Sequence, residues 1–182
     1  MIIGDGFLAK LLAPLDDTNL LIFVSGVSDP ACISSIEFAR EEDLLFFWLD
    51  KAPGRIFIYF GTTTPSDSLY AKHKRRMEDL VQKYAASWII FRIGPVKRQD
   101  GLGNTFHDFA RRRILNDQEF ILYTGEVRPL LEAKDLYEFV THWLKGPSIN
   151  CCISFDGPWI PVEQIVSDLE IELNKKAKYR IK

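Results

Sequence analysis

The chain has 182 residues, of which 47% are hydrophobic and 26% are charged. This apolar share is near the usual mean for soluble domains, so it excludes disordered and collagen-like proteins. The length favours one domain large enough to bury a substantial core. The 23 basic and 25 acidic residues leave a net charge of −2, which argues against a broad nucleic-acid-binding surface.

Targeting and metal-binding signals are absent from the sequence. No apolar run reaches the length of a membrane helix, and no signal peptide is visible after Met1. The three cysteines form no disulfide framework, and neither they nor the three histidines show zinc-ligand spacing. We therefore expect a cytoplasmic protein without metal, with no nucleic acid or membrane among its partners.

In the first half, apolar runs of strand length alternate with helical patterns. Strands are predicted at 1–3, 20–24, 56–60 and 88–93. Helices are predicted at 7–12, at 34–49, and from a cap at Ser66 or Asp67 to about Tyr84. Short continuous apolar strands separated by helices predict a parallel sheet with helices on both faces.

The second half is less regular. Helices are predicted at 105–115, 133–144 and 162–173, and strands at 119–123 and 149–155. No repeat and no change in composition marks a linker. We therefore interpret residues 1–182 as a single domain.

A glycine-rich pattern, Gly4-x-Gly6-x-x-Ala9, lies between the first strand and the first helix. Small residues there allow a tight turn and let a phosphate approach the backbone at a helix N-terminus. The alternative is an ordinary glycine turn between a strand and a helix. The acid that such a fingerprint places about 20 residues further on has no counterpart, because the second strand runs into Ser25 and Gly26.

A second pattern, Tyr70-x-x-x-Lys74, places a phenol and an ammonium on one face of the third predicted helix. A lysine one turn away favours the phenolate, so we expect a lowered tyrosine pKa and acid–base chemistry. Hydroxyls of Thr62, Thr63 and Thr64 follow the preceding strand and could sit beside the reacting oxygen. The alternative is a surface tyrosine beside a basic stripe.

Together these motifs resemble the extended short-chain dehydrogenase/reductases, the NAD-dependent epimerase/dehydratase family, in a shortened form. The resemblance spans nearly the whole chain. Besides the two patterns above it rests on five segments: residues 21–28 (LIFVSGVS), 59–64 (YFGTTT), 91–95 (FRIGP), 128–136 (RPLLEAKDL) and the closing strand and helix at 149–173. It implies a Rossmann-type sheet reduced in its N-terminal half and a small C-terminal substrate-binding region, about 95–182.

The resemblance also implies roles. Tyr70 would be the general acid/base, and Lys74 would hold the nicotinamide ribose and lower the tyrosine pKa. Thr63, with Thr62 as its neighbouring candidate, would orient the substrate oxygen. The remaining residues would contact NAD or NADP (Gly4, Gly6, Ala9, Ser25 and Gly26) or substrate (Arg128 and Arg92).

Two hypotheses follow. The first is a homodimeric NAD(P)-dependent epimerase or reductase that acts on a nucleotide sugar in surface polysaccharide synthesis. The second is a degenerate member of the family that binds a nucleotide or a partner protein without turnover.

Overall fold

Strands and helices alternate through most of the computed structural model, which describes residues 1–64, 67–98, 103–146 and 148–182. The helices are α1 (Phe7–Leu12), α2 (Ser35–Lys51), α3 (Leu69–Tyr84), α4 (Phe106–Leu115), α5 (Ala133–Leu144) and α6 (Val162–Leu173). The strands are β1 (Ile2–Ile3), β2 (Leu20–Phe23), β3 (Ile56–Thr62), β4 (Ser87–Ile93), β5 (Phe120–Leu122), β6 (Val127–Pro129), β7 (Cys151–Phe155), β8 (Trp159–Pro161) and β9 (Tyr179–Ile181).

The main sheet has five parallel strands in the order β1-β2-β3-β4-β7. Ile58 in the middle of β3 pairs with Ile22 on one side and Ile89 on the other, and all three side chains are buried. Continuous apolar strands of this kind need cover on both faces. The predicted Rossmann-type sheet is confirmed. Within the described residues this sheet has no strand beyond β1, in agreement with the predicted reduction of its N-terminal half.

Successive residues of the strands serve opposite faces of this sheet. Tyr59 and Ile90 belong to a core cluster that includes Leu45 of α2 and Met77 of α3. Phe91, next to Ile90, has its ring centroid 6.0 Å from that of Phe139 in α5. Helices α2 and α3 therefore cover one face, and α5 covers the other.

The chain divides into two compact units. The first contains residues 1–93 and 136–155, and the second contains 94–135 and 156–182. The second unit thus overlaps the C-terminal region predicted from about 95, but it does not include residues 136–155, because β7 pairs with β4 in the main sheet. The second unit has its own core, formed by α4, α6 and β5. The strand β9 pairs in parallel with β5.

Helix starts follow the expected capping chemistry. Ser68 caps α3 by accepting the backbone N–H of Ala71, so Asp67 is not the cap, and Ser66 lies outside the described residues. Thr105 caps α4 in a capping box with Asp108. Within the described residues, no helix is long and apolar enough to cross a membrane.

Gly157 in the second unit tolerates no side chain. A Cβ there would lie 2.1 Å from the carbonyl oxygen of Leu130, a backbone atom next to β6. We expect Gly157→Ala to lower the free energy of unfolding by about 2–3 kcal/mol, measured by urea denaturation. Gly146→Ala is the control, because its nearest neighbour is 3.5 Å away. Equal stability of the two variants would contradict this assignment.

Candidate active site

The side chains of Tyr70, Lys74 and Glu78 follow one face of α3 at intervals of four residues and are all buried. The Nζ of Lys74 lies 6.0 Å from the centroid of the Tyr70 ring. The sequence pattern therefore brings phenol and ammonium together, within a protein interior rather than on a solvated face.

Thr62, the last residue of β3, contacts the same tyrosine. A side-chain hydrogen bond links Thr62 and Tyr70. The hydroxyl oxygens of Thr62 and Thr64 also lie 3.0 Å apart, within hydrogen-bond distance. Of the two candidate threonines, the structure thus brings Thr62 to Tyr70, while the backbone N–H of Thr63 donates to Ile93 at the end of β4.

A buried carboxylate that the sequence analysis did not single out controls Lys74. Glu41 of α2 has no exposed surface, and its Oε1 accepts from Lys74 Nζ at 3.0 Å and from the Tyr59 hydroxyl at 2.8 Å. Its Oε2 lies 3.0 Å from His73 Nε2 and accepts from the backbone N–H of Val27 at 2.7 Å. Lys74 Nζ also donates to Tyr59 at 3.3 Å. These five residues form what we call the Glu41 cluster.

The pKa of Tyr70 is raised in the structure, whereas the sequence pattern predicts a lowered pKa. Burial and the negative charge of Glu41 raise the pKa of Tyr70 to about 12, although its hydrogen bond with Thr62 acts in the opposite direction. The predicted lowering by Lys74 is wrong for this state, because Glu41 pairs with the ammonium. The pKa of Glu41 itself is about 2, since Lys74, His73, Val27 and Tyr59 outweigh the effect of its burial.

Gly26 is the point where the loop after β2 meets this cluster. A Cβ at Gly26 would lie 2.4 Å from Glu41 Oε1 and 2.6 Å from Lys74 Nζ. The neighbouring Ser25 uses its carbonyl oxygen to accept from Arg40 of α2. Ser25 and Gly26, two of the predicted cofactor-binding residues, therefore lie in the loop that borders Lys74. Gly26 must lack a side chain for the ion pair between Glu41 and Lys74 to fit.

The glycine turn after β1 has two different glycines. Gly4 has a φ of +134°, and a Cβ there would lie 2.8 Å from the carbonyl oxygen of Val24, so this glycine serves the close approach to the end of β2. Gly6 precedes α1 and has no atom within 4 Å of a Cβ position. Ala9, one turn into the helix, is buried. The turn thus leaves open space beside Gly6, as a phosphate would need.

Arg92 is held by Glu78 of α3. Its Nε and Nη2 donate to Glu78 Oε2 at 2.9 and 2.6 Å. The other carboxylate oxygen occupies the place of a side chain at Gly61, where a Cβ would lie 2.1 Å away. Burial of the Glu78 carboxyl group raises its pKa. The substrate-binding role predicted for Arg92 stays a prediction, since the geometry gives its guanidinium an internal partner.

Arg128 lines a cavity of about 370 Å³ within the second unit. Its guanidinium pairs with Glu126, which lines the same cavity. The other lining residues are mostly aromatic or apolar: Phe106, Phe109, Arg113, Phe120, Ile121, Tyr123 and Val162. Aromatic faces beside guanidinium groups suit a planar base and an anionic group.

Helical spacing was the available signal for the two acids that the sequence analysis missed. Glu41 stands four residues before the buried Leu45 of α2, and Glu78 stands four residues after Lys74. Acids on the core side of a helix are rare unless they are paired. Such positions therefore indicate buried ion pairs, although the sequence does not name the partner.

The fold of the chain is similar to that of several solved epimerases. No model of a known protein family and no curated protein sequence matches the chain. Among solved structures it is similar to the UDP-glucose 4-epimerase of Thermotoga maritima, with 17% identity, a TM-score of 0.66, and coverage of 90% of this chain and 64% of that one. It is also similar to the UDP-glucuronic acid 4-epimerase of Bacillus cereus, with 17% identity and a TM-score of 0.67. This match covers 97% of this chain and 65% of that one.

A third similar structure is the ADP-L-glycero-D-manno-heptose-6-epimerase of Helicobacter pylori, with 14% identity and a TM-score of 0.69, covering 90% of this chain and 61% of that one. The chain has the fold of these epimerases. It spans less than two thirds of the length of each of the three. The resemblance seen in the sequence motifs is thus confirmed at the level of fold.

The residues fit part of a dinucleotide. Gly6 leaves room for a phosphate at the start of α1, and the loop at Ser25 and Gly26 borders Lys74. Within the described residues the main sheet has no strand beyond β1, so the adenosine part lacks the support that a further strand would give. The cofactor contacts predicted for Gly6, Ser25, Gly26 and Lys74 stay predictions.

Proposed function

We propose that the protein is an NAD(P)-dependent epimerase or reductase of nucleotide sugars. One observation carries this proposal: Thr62, Tyr70 and Lys74 converge at the carboxyl end of a parallel sheet. Ligands of open parallel sheets bind outside this end. The named epimerases of this fold include structures solved with UDP-glucose and with NAD.

In the proposed reaction Tyr70 exchanges a proton with a sugar oxygen. A bound NAD or NADP would accept a hydride from the sugar carbon and return it, and its oxidised ring would add a positive charge near the phenol. As its phenolate, Tyr70 takes the hydroxyl proton as that carbon is oxidised to a ketone, and as the resulting phenol it gives the proton back to the ketone oxygen on reduction. Thr62 orients the oxygen, and Lys74 contacts the nicotinamide ribose through Nζ.

The cavity at Arg128, which lies within the second unit, is proposed as a nucleotide-binding site of that unit. Its aromatic walls offer stacking surfaces for a base, and guanidinium groups bind phosphates with two parallel hydrogen bonds. A nucleotide with phosphate groups is therefore the class of ligand that we propose for this cavity.

The proposal is tested by calorimetry with NAD⁺, NADH, NADP⁺ and NADPH on the folded protein. NMR then follows the anomeric protons of UDP-glucose, UDP-glucuronic acid and an ADP-heptose. We expect one of the cofactors to bind and one sugar to change its configuration or oxidation state. A folded protein that binds none of the four cofactors would refute the proposal.

Replacing Arg128 by Ala is expected to weaken UDP binding about tenfold, since it removes a charged hydrogen-bond donor. Arg180→Ala is the matched control, because Arg180 also pairs with a surface glutamate of the second unit but does not line the cavity. Calorimetric titration with UDP measures both. An equal affinity for the two variants would remove Arg128 from the site.

We further propose that the protein is a homodimer, that it is located in the cytoplasm, and that it takes part in surface polysaccharide synthesis. Exposed apolar side chains on α2 and α3 support self-association: Phe46, Phe47, Leu69 and Tyr84 are each at least one third exposed. Light scattering tests the oligomeric state directly. The metabolic role follows from the resemblance to the epimerase/dehydratase family.

A further inference from the structure

Glu41 is bound more completely than an ordinary buried acid. A carboxylate has about four acceptor sites, and those of Glu41 meet groups of Val27, Tyr59, His73 and Lys74. These partners come from the loop after β2, from β3 and from α3. The carboxylate therefore has one position, and it fixes the position of Lys74 Nζ beside Gly26.

We propose that Glu41 is a positioning residue of this site: its carboxylate fixes Lys74 Nζ beside Gly26, and its charge offsets the pull of that ammonium on the Tyr70 phenol. Lys74 is then a hydrogen-bond donor for the ribose more than a source of positive charge. The inference rests on the proposed function for the role of Tyr70 in proton transfer, but its test needs neither cofactor nor turnover.

The charged and titratable groups around Tyr70 support this balance. Lys74 of α3 is the positive neighbour, with Nζ 6.0 Å from the ring. Glu41 of α2 and Asp29 of the loop after β2 both raise the pKa of Tyr70 by their charge, and Thr62 of β3 lowers it by a hydrogen bond. His73 contacts Glu41, and Tyr59 of β3 is a further titratable group that interacts electrostatically with Tyr70. Of the two acids, Glu41 raises the pKa of Tyr70 more, so removing its charge leaves Tyr70 under the influence of the ammonium.

The test is a pH titration of protein labelled with ¹³C at tyrosine Cζ, followed by NMR. The Tyr70 signal is assigned by its loss in Tyr70→Phe. In the unchanged protein we expect it to remain a phenol past the ordinary tyrosine pKa of 10.0. In Glu41→Gln, which keeps the shape but loses the charge, we expect its ionisation to move down by about one pH unit or more.

Glu42→Gln is the matched control. Glu42 is the next residue of α2 and also bridges to α3, through Arg76, but it does not touch Lys74. We expect its Tyr70 signal to titrate as in the unchanged protein. Glu41→Asp, which retains the charge, should also keep the ionisation of Tyr70 high.

Three results would overturn the inference. One is an equal Tyr70 titration in Glu41→Gln and Glu42→Gln, which would leave Glu41 a purely structural role. Another is ionisation of Tyr70 below pH 10 in the unchanged protein. Should Glu41→Gln not fold, ionisation below pH 10 in Glu41→Asp decides against it. Failure of the proposed function would appear separately, as absence of cofactor binding with this titration intact.

Discussion

Replacing Tyr70 by Phe is expected to lower turnover of the nucleotide sugar by about a thousandfold, the scale of a lost general acid/base. The phenyl ring still fills the buried site at the start of α3, so the fold and the affinity for cofactor should change little. Only the hydroxyl that meets Thr62 is removed. Steady-state rates by NMR, with calorimetry for the cofactor, measure the two effects separately.

Tyr84→Phe is the control for this experiment. Tyr84 ends the same helix, is half exposed and does not contact Thr62 or the Glu41 cluster. We expect full activity in this variant. If Tyr70→Phe kept the rate of Tyr84→Phe, Tyr70 would have no part in proton transfer, and the proposed chemistry would need another acid.

The second large effect concerns stability in acid. The pKa of Glu41 is about 2 in the folded protein against an ordinary value of 4.5. A lowered folded-state pKa gives stability that is present above the unfolded value and is lost as pH falls through the folded value. We expect the ionised Glu41 to contribute about 3 kcal/mol at neutral pH, and this contribution to disappear between about pH 5 and pH 2.

Urea unfolding at a series of pH values isolates this contribution when the unchanged protein is compared with Glu41→Gln. The difference in the free energy of unfolding should be large at pH 7 and should shrink as the pH falls. Glu42→Gln serves again as control, since its ion pair with Arg76 is partly exposed and such pairs contribute little. A constant difference between pH 7 and pH 3 would contradict the prediction.

The sequence was sufficient to predict the three central strands of the main sheet, because they are buried on both faces. The apolar runs 20–24, 56–60 and 88–93 became β2, β3 and β4 with changes of a residue or two. The strands β6, β8 and β9 have three residues each and are mostly exposed, so they carry no such pattern. Their pairing depends on contacts between distant segments.

In the candidate site, too, contacts between residues close in sequence could be predicted, and contacts between distant residues could not. Spacing along one helix placed Tyr70 and Lys74 together, since both residues lie on α3. The acidity of Tyr70 was predicted in the wrong direction because Glu41 lies 33 residues before Lys74. A motif read along the chain names the neighbours on its own helix, whereas the buried charge that faces them comes from the fold.

The division of the chain also affects how the protein assembles as it is synthesised. The chain leaves the first unit at Ile93 and returns to it at Leu136, so β4 is complete long before β7. Until then one edge of β4 presents unpaired backbone groups, and Phe91 has no Phe139 to cover it. Open edges of this kind pair with other chains. A fragment ending at Ile93 should therefore aggregate. During synthesis, residues 94–135 of the second unit leave the ribosome before β7 can pair with β4 and complete the main sheet.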